Sequence, residues 1–196
     1  IEAVGTQIDV PKDATIVDLK GDHIYAGFID AWVEYEAKDL PVSPRSHWID
    51  LVHPERLASD SYTPDEKAVK DRRKLGFTQI HTGLNKGIFR GQSSLIDLDE
   101  QASITTPSVS QLMDFYTRQR GDDNYPEALL GVIAVMRQTL YDAEWYEKAQ
   151  KIYAKHPQKN EQPKEDLALA SLAGSRSQKE PFLIRTAHET AAQRAI

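Results

Sequence analysis

His23, His47, His53, His81, His156 and His188 are the six histidines of this 196-residue chain, which contains no cysteine. They are the residues best suited to ligate a metal or to move protons near neutral pH. The missing cysteines remove thiolate nucleophiles, cysteine metal clusters and disulfides together. His81 closes a short strand-like run, Phe77-Thr78-Gln79-Ile80-His81, and precedes a polar loop, the end of an α/β unit on which sites are built. A strand-end histidine bonded to backbone, or exposed, is the simpler reading of the same residue. His47 and His53 flank Trp48 and Asp50 in a stretch without periodicity, which predicts surface placement rather than a metal site. His188 falls at a helix start, where backbone N–H groups disfavour imidazolium, and packing or solvent contact accounts for it.

Gly87-Ile88-Phe89-Arg90-Gly91-Gln92-Ser93 offers backbone N–H groups and Arg90 to an anion. It lacks the Gly-rich Lys-Ser or Lys-Thr pattern of a nucleotide loop and is expected to be a structural turn beside a strand. No Gly-x-Ser-x-Gly elbow is present, so neither Ser93 nor Ser94 is marked as a nucleophile. Tyr141, Trp145, Tyr146 and Tyr153 read as packing residues of a helix, since only part of the set shares one face.

Positioning such residues requires elements, and the chain signals them unevenly. Residues 8–10, 15–19 and 23–25 are short β-prone runs separated by Pro11-Lys12-Asp13 and Gly21-Asp22, the pattern of a small sheet. Phe28-Ile29-Asp30-Ala31-Trp32-Val33 is an apolar run with one carboxylate, suited to a strand covered on both faces. A polar interval follows. Thr63-Pro64-Asp65-Glu66 then signals a helix with Thr63 as cap, ending at Gly76. Residues 94–98 and 102–106 read as short extended pieces, and Asn124-Tyr125-Pro126-Glu127 as the start of a second helix reaching about Tyr153. A small helix is expected at 165–173, a strand at Phe182-Leu183-Ile184, and a further helix start at Thr186-Ala187-His188-Glu189. Residues 28–33, 77–80 and 182–184 are expected to be neighbouring parallel strands of one α/β sheet. That sheet is left unfinished at Ile196, which predicts a truncated unit.

The formal charge of -6, from 24 Lys plus Arg against 30 Asp plus Glu, provides no cationic field for nucleic acid or an anionic membrane. No apolar run approaches a membrane span, and no basic, apolar and small-residue pattern of a signal peptide stands at the start of the sequence. A soluble protein is expected, its compartment open, exported if a leader was removed before Ile1.

Two adjoining stretches resemble the front end of the amidohydrolase superfamily: Asp13-Ala14-Thr15-Ile16-Val17-Asp18-Leu19-Lys20-Gly21 and Tyr25-Ala26-Gly27-Phe28-Ile29-Asp30-Ala31, with Ala26 where that family has proline. Arg73-Lys74-Leu75-Gly76-Phe77-Thr78 resembles its first barrel helix passing into the second strand. Gly87-Ile88-Phe89-Arg90-Gly91-Gln92-Ser93-Ser94-Leu95 and Ala134-Val135-Met136-Arg137-Gln138-Thr139-Leu140-Tyr141-Asp142-Ala143 are similar to its imidazolonepropionase-like branch. The resemblance implies an α/β fold, a partial TIM-like (β/α) barrel preceded by a small β-sandwich segment. Residues 1–26 would belong to the sandwich and 27–196 to the first part of the barrel.

The resemblance also places the family's first metal ligands, a His-x-His pair at the end of the first strand, on Trp32 and Glu34. An indole N–H is only a donor, and Glu34 alone is half of an altered site. Asp30, His81 and Arg90 remain as rim residues; Asp30 is alternatively a paired structural carboxylate. The expectation is a degenerate, noncatalytic structural or regulatory unit of a larger protein, with no catalytic residue, metal or cofactor of its own. The alternative is a metal-dependent hydrolase of carbon-nitrogen bonds in cyclic amides or peptides, whose catalytic residues lie outside this chain and whose full unit holds zinc or another divalent ion. Expected partners are the rest of the polypeptide, a second amidohydrolase-like unit, or a further copy of the chain; nucleic acid and membrane are not among them.

Overall fold

Phe28–Tyr35 and Phe77–Leu84 form β1 and β2 and pair in parallel. The computed structural model describes residues 4–37, 40, 43–117 and 124–195. Helix α1, Glu66–Lys74, makes the crossover between these strands. Its cap is Asp65, whose Oδ1 accepts from the backbone N–H of Lys67 and Ala68, so the cap lies two residues beyond the one expected at Thr63. Gly76, at φ +89°, takes the left-handed conformation that ends α1 as expected.

The glycine-rich stretch expected to be a turn is a strand, β3 at Phe89–Gln92. Ser93 separates it from β4 at Ser94–Asp97, and β5 follows at Ile104–Thr106. Strand β6, Gln111–Asp114, had no periodic signal in its four residues. Helix α2 spans Leu129–Lys155 and begins later than Asn124 suggests, with Ala128 at its cap. Helix α3, Leu167–Gln178, is capped by the Asp166 carboxylate on the Leu169 N–H. Strand β7, Phe182–Arg185, and helix α4, Glu189–Ala195, complete the described chain.

The strands make two sheets, in the orders β1-β2-β4-β5 and β3-β6-β7. Residues 182–184 therefore are not a neighbour of β2: β7 pairs in parallel with β6, in the second sheet. The strand that holds β7 in that sheet, β6, is the one that local patterning does not reveal. The parallel pairing of β1 with β2 agrees with expectation.

Two apolar clusters hold these layers. Ile80, Ile96 and Leu98 form the smaller, beneath Val33, Val69 and Phe77. The larger joins Phe89 and Met113 of the second sheet to Val132, Val135, Met136 and Ala143 of α2 and Leu172 of α3. Those α2 residues recur at helical spacing, the reason one face of so long a helix is buried. Ile49 and Val52 belong to the same cluster because the polar interval folds back along β3, where Phe89 N–H donates to Leu51 O and His53 N–H to Phe89 O. Gly91 makes this approach feasible: at φ +103°, a Cβ there would lie 2.4 Å from Arg56 O.

Residues 4–27 do not form the small sheet expected of them. Turns occur at both expected places, with N–H donation from Ala14 to Pro11 O and from Asp22 to Leu19 O, but the intervening runs are unpaired. Val4, Ile16, Val17, Ile24 and Tyr25 are exposed. Short ribbons without a covering layer lack the packing that stabilises strands. No described helix is long and apolar enough to cross a membrane.

Candidate functional site

A bulge in β1 decides which side chains reach the strand end. Asp30 is in register with Ile80 and Val33 with Thr82, so Ala31 and Trp32 together stand opposite His81. The extra residue resets the alternation. Asp30 turns to α1, where Arg72 Nε donates to its Oδ2 at 2.8 Å. It is thus ion-paired, in keeping with the alternative expectation of a paired structural carboxylate. Trp32 and Glu34, two residues apart, remain on one face.

Glu34 draws its arginine partners from two other strands. Trp32 Nε1 donates to Glu34 Oε1 at 3.2 Å, and Arg90 Nη1 of β3 donates to the same oxygen at 2.7 Å. Arg185 Nη1, at the end of β7, donates to Glu34 Oε2 at 2.8 Å. Its Nη2 forms an ion pair with Asp114 Oδ2 of β6 at 2.7 Å. Two carboxylates and two guanidiniums therefore meet where β1, β6 and β7 end. The Arg90 side chain is 1% exposed and that of Glu34 23%, so the pair is shielded from solvent on the arginine side. The Arg90 guanidinium lies 6.0 Å from the Trp32 ring centroid, within cation–π range.

Packing fixes the indole. Gly83 of β2 is the residue opposite Glu34, and a Cβ there would stand 2.3 Å from Leu112 Cδ1 and 2.8 Å from Trp32 Cη2. The His81 ring meets Trp32 edge-on, with centroids 5.1 Å apart. His81 Nδ1 lies 3.2 Å from Ala31 O and Nε2 lies 2.8 Å from Ser93 Oγ. A carbonyl only accepts, which assigns the proton to Nδ1 and leaves Nε2 to accept from the Ser93 hydroxyl. Ser93 is fully buried and linked to Ser110, so this serine–histidine contact ties β2 to the buried Ser93–Ser110 pair.

The electrostatics follow the same contacts. Burial works to raise the Glu34 pKa, but the hydrogen bond and charge of Arg90, with Trp32 and Arg185, outweigh it and hold the carboxyl below its ordinary range. At Asp114 burial prevails over Arg185 and Arg90, and the pKa is raised. Burial lowers the His81 pKa despite its bond to Ala31, keeping the ring neutral.

Asp114 and Arg185 are the rim residues that sequence reasoning missed. The run Phe182-Leu183-Ile184 is legible, but nothing local marks the residue after it, Arg185, as the counter-ion of Glu34. His53, expected at the surface, is buried, with Nε2 2.9 Å from Asp50 O and Nδ1 3.2 Å from Glu55 Oε1. His47 is half-buried, its Nδ1 accepting from the Ile49 N–H. The aromatic set of α2 divides: Tyr146 is buried, whereas Tyr141 and Trp145, expected to pack, are exposed. Among the described residues, no three His, Cys, Asp or Glu side chains converge as a metal shell would require.

No family model and no curated protein matches the sequence. Among solved structures, the crystal structure of an amidohydrolase from Thermotoga maritima MSB8 matches with a TM-score of 0.74 and 23% sequence identity. The match covers 99% of this chain and 53% of that one. The mixed α/β architecture described above is therefore shared with an amidohydrolase, and this chain spans about half the length of that neighbour.

Proposed function

We propose that the chain is a degenerate, noncatalytic amidohydrolase-like unit, structural or regulatory within a larger protein. The observation that carries this reading is the occupation of both Glu34 oxygens by guanidinium and indole donors of the same chain. Zinc sites are built from deprotonated acceptors: imidazole nitrogen, carboxylate or thiolate. Here the position two residues before Glu34 is an indole donor, and a buried guanidinium adjoins the carboxylate. Fixed cations stand where a metal ion would have to compete. The residues present do not fit the ion that the resemblance implies.

In the same reading β1, β2, β6 and β7 are the opening strands of an unclosed barrel in the manner of the imidazolonepropionase-like branch, and the remaining strands lie elsewhere in the full polypeptide. The 53% coverage of the Thermotoga chain supports this. The exposed apolar residues of the 4–27 segment, which lack a covering layer, support its assignment to a small β-sandwich completed by other strands. Any hydrolysis of carbon-nitrogen bonds by the full protein would then use residues outside this chain.

Elemental analysis of protein purified without an affinity tag, dialysed against zinc and then against buffer, tests the reading. Less than a tenth of an equivalent of zinc should remain, with the Glu34→Ala variant no different. One retained equivalent, lost in Glu34→Ala, would overturn it.

A further inference from the structure

Away from the rim, the interval before α1 meets the start of α2 in a cleft of about 220 Å³. Its walls include His47, Trp48, Tyr125, Gln138 and Asp142, none of which belongs to the rim. Trp48 is 78% exposed and Tyr125 50% exposed. Their rings are parallel to within 6°, with centroids 6.4 Å apart. His47 extends the aromatic surface, its ring 5.7 Å from that of Trp48 at 29°.

Three features of this cleft select for charge and shape. Aromatic faces carry negative quadrupole potential and attract cations. The carboxylates of Asp166, Asp142 and Glu55 all act on the His47 ring, so the surrounding field is negative as well, while burial lowers the His47 pKa and keeps that ring from adding an opposing charge. Parallel rings favour a flat ligand, and a guanidinium is both planar and cationic, stacking on a ring while directing N–H donors from its edge. Asp142 lies on the adjoining wall. Gln138 Nε2 donates to its Oδ1 at 2.7 Å, which orients the carboxylate and uses only part of its acceptor capacity.

We propose that the Trp48–Tyr125–Asp142 cleft binds a guanidinium group, that of an arginine side chain in a peptide or of a free arginine-like small molecule. Tyr125 and Trp48 supply the stacking faces and Asp142 the counter-charge. This assignment is independent of whether the rim binds metal.

Calorimetric titration of the whole chain with N-acetyl-L-arginine amide tests it, with N-acetyl-L-citrulline amide as the planar neutral counterpart and free L-arginine as a second arm. Saturable binding of the arginine amide is expected, at least about 5-fold tighter than the citrulline amide. Preference between capped and free arginine then identifies a peptide or a small-molecule source. Trp48→Ala and Tyr125→Ala should each weaken binding by about 2- to 30-fold, the range of a single cation–π contact. Asp142→Asn, which preserves shape, should weaken the arginine amide and leave the citrulline amide unchanged. Unaltered far-ultraviolet circular dichroism identifies variants that remain folded. Equal binding of arginine and citrulline amides, or no saturable binding of either, would overturn the proposal.

Discussion

The rim and the cleft are both built from charged and aromatic side chains, yet they place them oppositely. At the rim, Trp32 donates to Glu34, and Glu34 and Asp114 are paired with arginines of the same chain. At the cleft, Trp48 and Tyr125 are both exposed, and their parallel rings stand beside a carboxylate. The difference teaches that residue type alone does not mark a binding site. What distinguishes the two is whether the chain itself already supplies the complementary group.

Breaking the rim should produce the largest effect. Arg90→Met removes the buried cation and leaves Glu34 with Arg185 and the neutral Trp32 donor, and losing one member of a buried ion pair costs about 3–5 kcal/mol. Because Glu34 retains 23% exposure, the lower end of that range is expected, read as a fall in the urea midpoint at unchanged slope. Trp48→Ala at the cleft should change the midpoint little, since its side chain is mostly in water. If both substitutions cost the same, the contrast between a self-paired rim and an open cleft fails.

A pair of glycines tests the packing beneath the rim with an intermediate effect. Gly83→Ala introduces a Cβ within 2.3 Å of Leu112 Cδ1 and should destabilise by about 1–3 kcal/mol. Gly174→Ala, in α3, meets nothing within 4 Å and should stabilise by up to about 1 kcal/mol through helix propensity. Thermal unfolding of the two variants should therefore shift in opposite directions. A Gly83→Ala protein as stable as the parent would show that Trp32 is not wedged as described.

Much of the scaffold is legible locally, and the rim is not. The apolar run of β1, the end of α1 at Gly76 and the buried periodicity of α2 are short-range patterns, and each becomes the expected kind of element. Strand β6 escapes because four residues, Gln111-Leu112-Met113-Asp114, carry no period; its buried polar Gln111 is explained only by Pro54, Ser171 and Ser175, far away in sequence. Arg90 sits between residues that read as a turn, and its partner Glu34 lies 56 positions earlier. Trp32 and Glu34 were identified as a pair only through the family resemblance. The bulge that turns Asp30 away from them depends on register with β2, a long-range property that no local spacing encodes.

The smallest effect is expected at His81, where the rim meets the strut beneath it. Burial lowers its pKa below the ordinary 6.5, so the unfolded chain binds the proton more tightly than the folded one. The sign follows: this contribution to stability is fully present above pH 6.5 and is lost as pH falls through the lower folded value. Glu34, also depressed, adds a loss of the same sign in the carboxylate range, whereas the raised Asp114 acts oppositely there. The His81 contribution is therefore best isolated between pH 5 and 7.5, by comparing wild type with His81→Gln. Wild type should lose slightly more stability than the variant as pH decreases across that window. Nitrogen-15 spectra at pH 7.5 should show a neutral ring protonated at Nδ1, as the Ala31 carbonyl requires. A ring protonated at Nε2, or one still charged at that pH, would break the assignment of Ser93 as donor and with it the view of this contact as a structural strut.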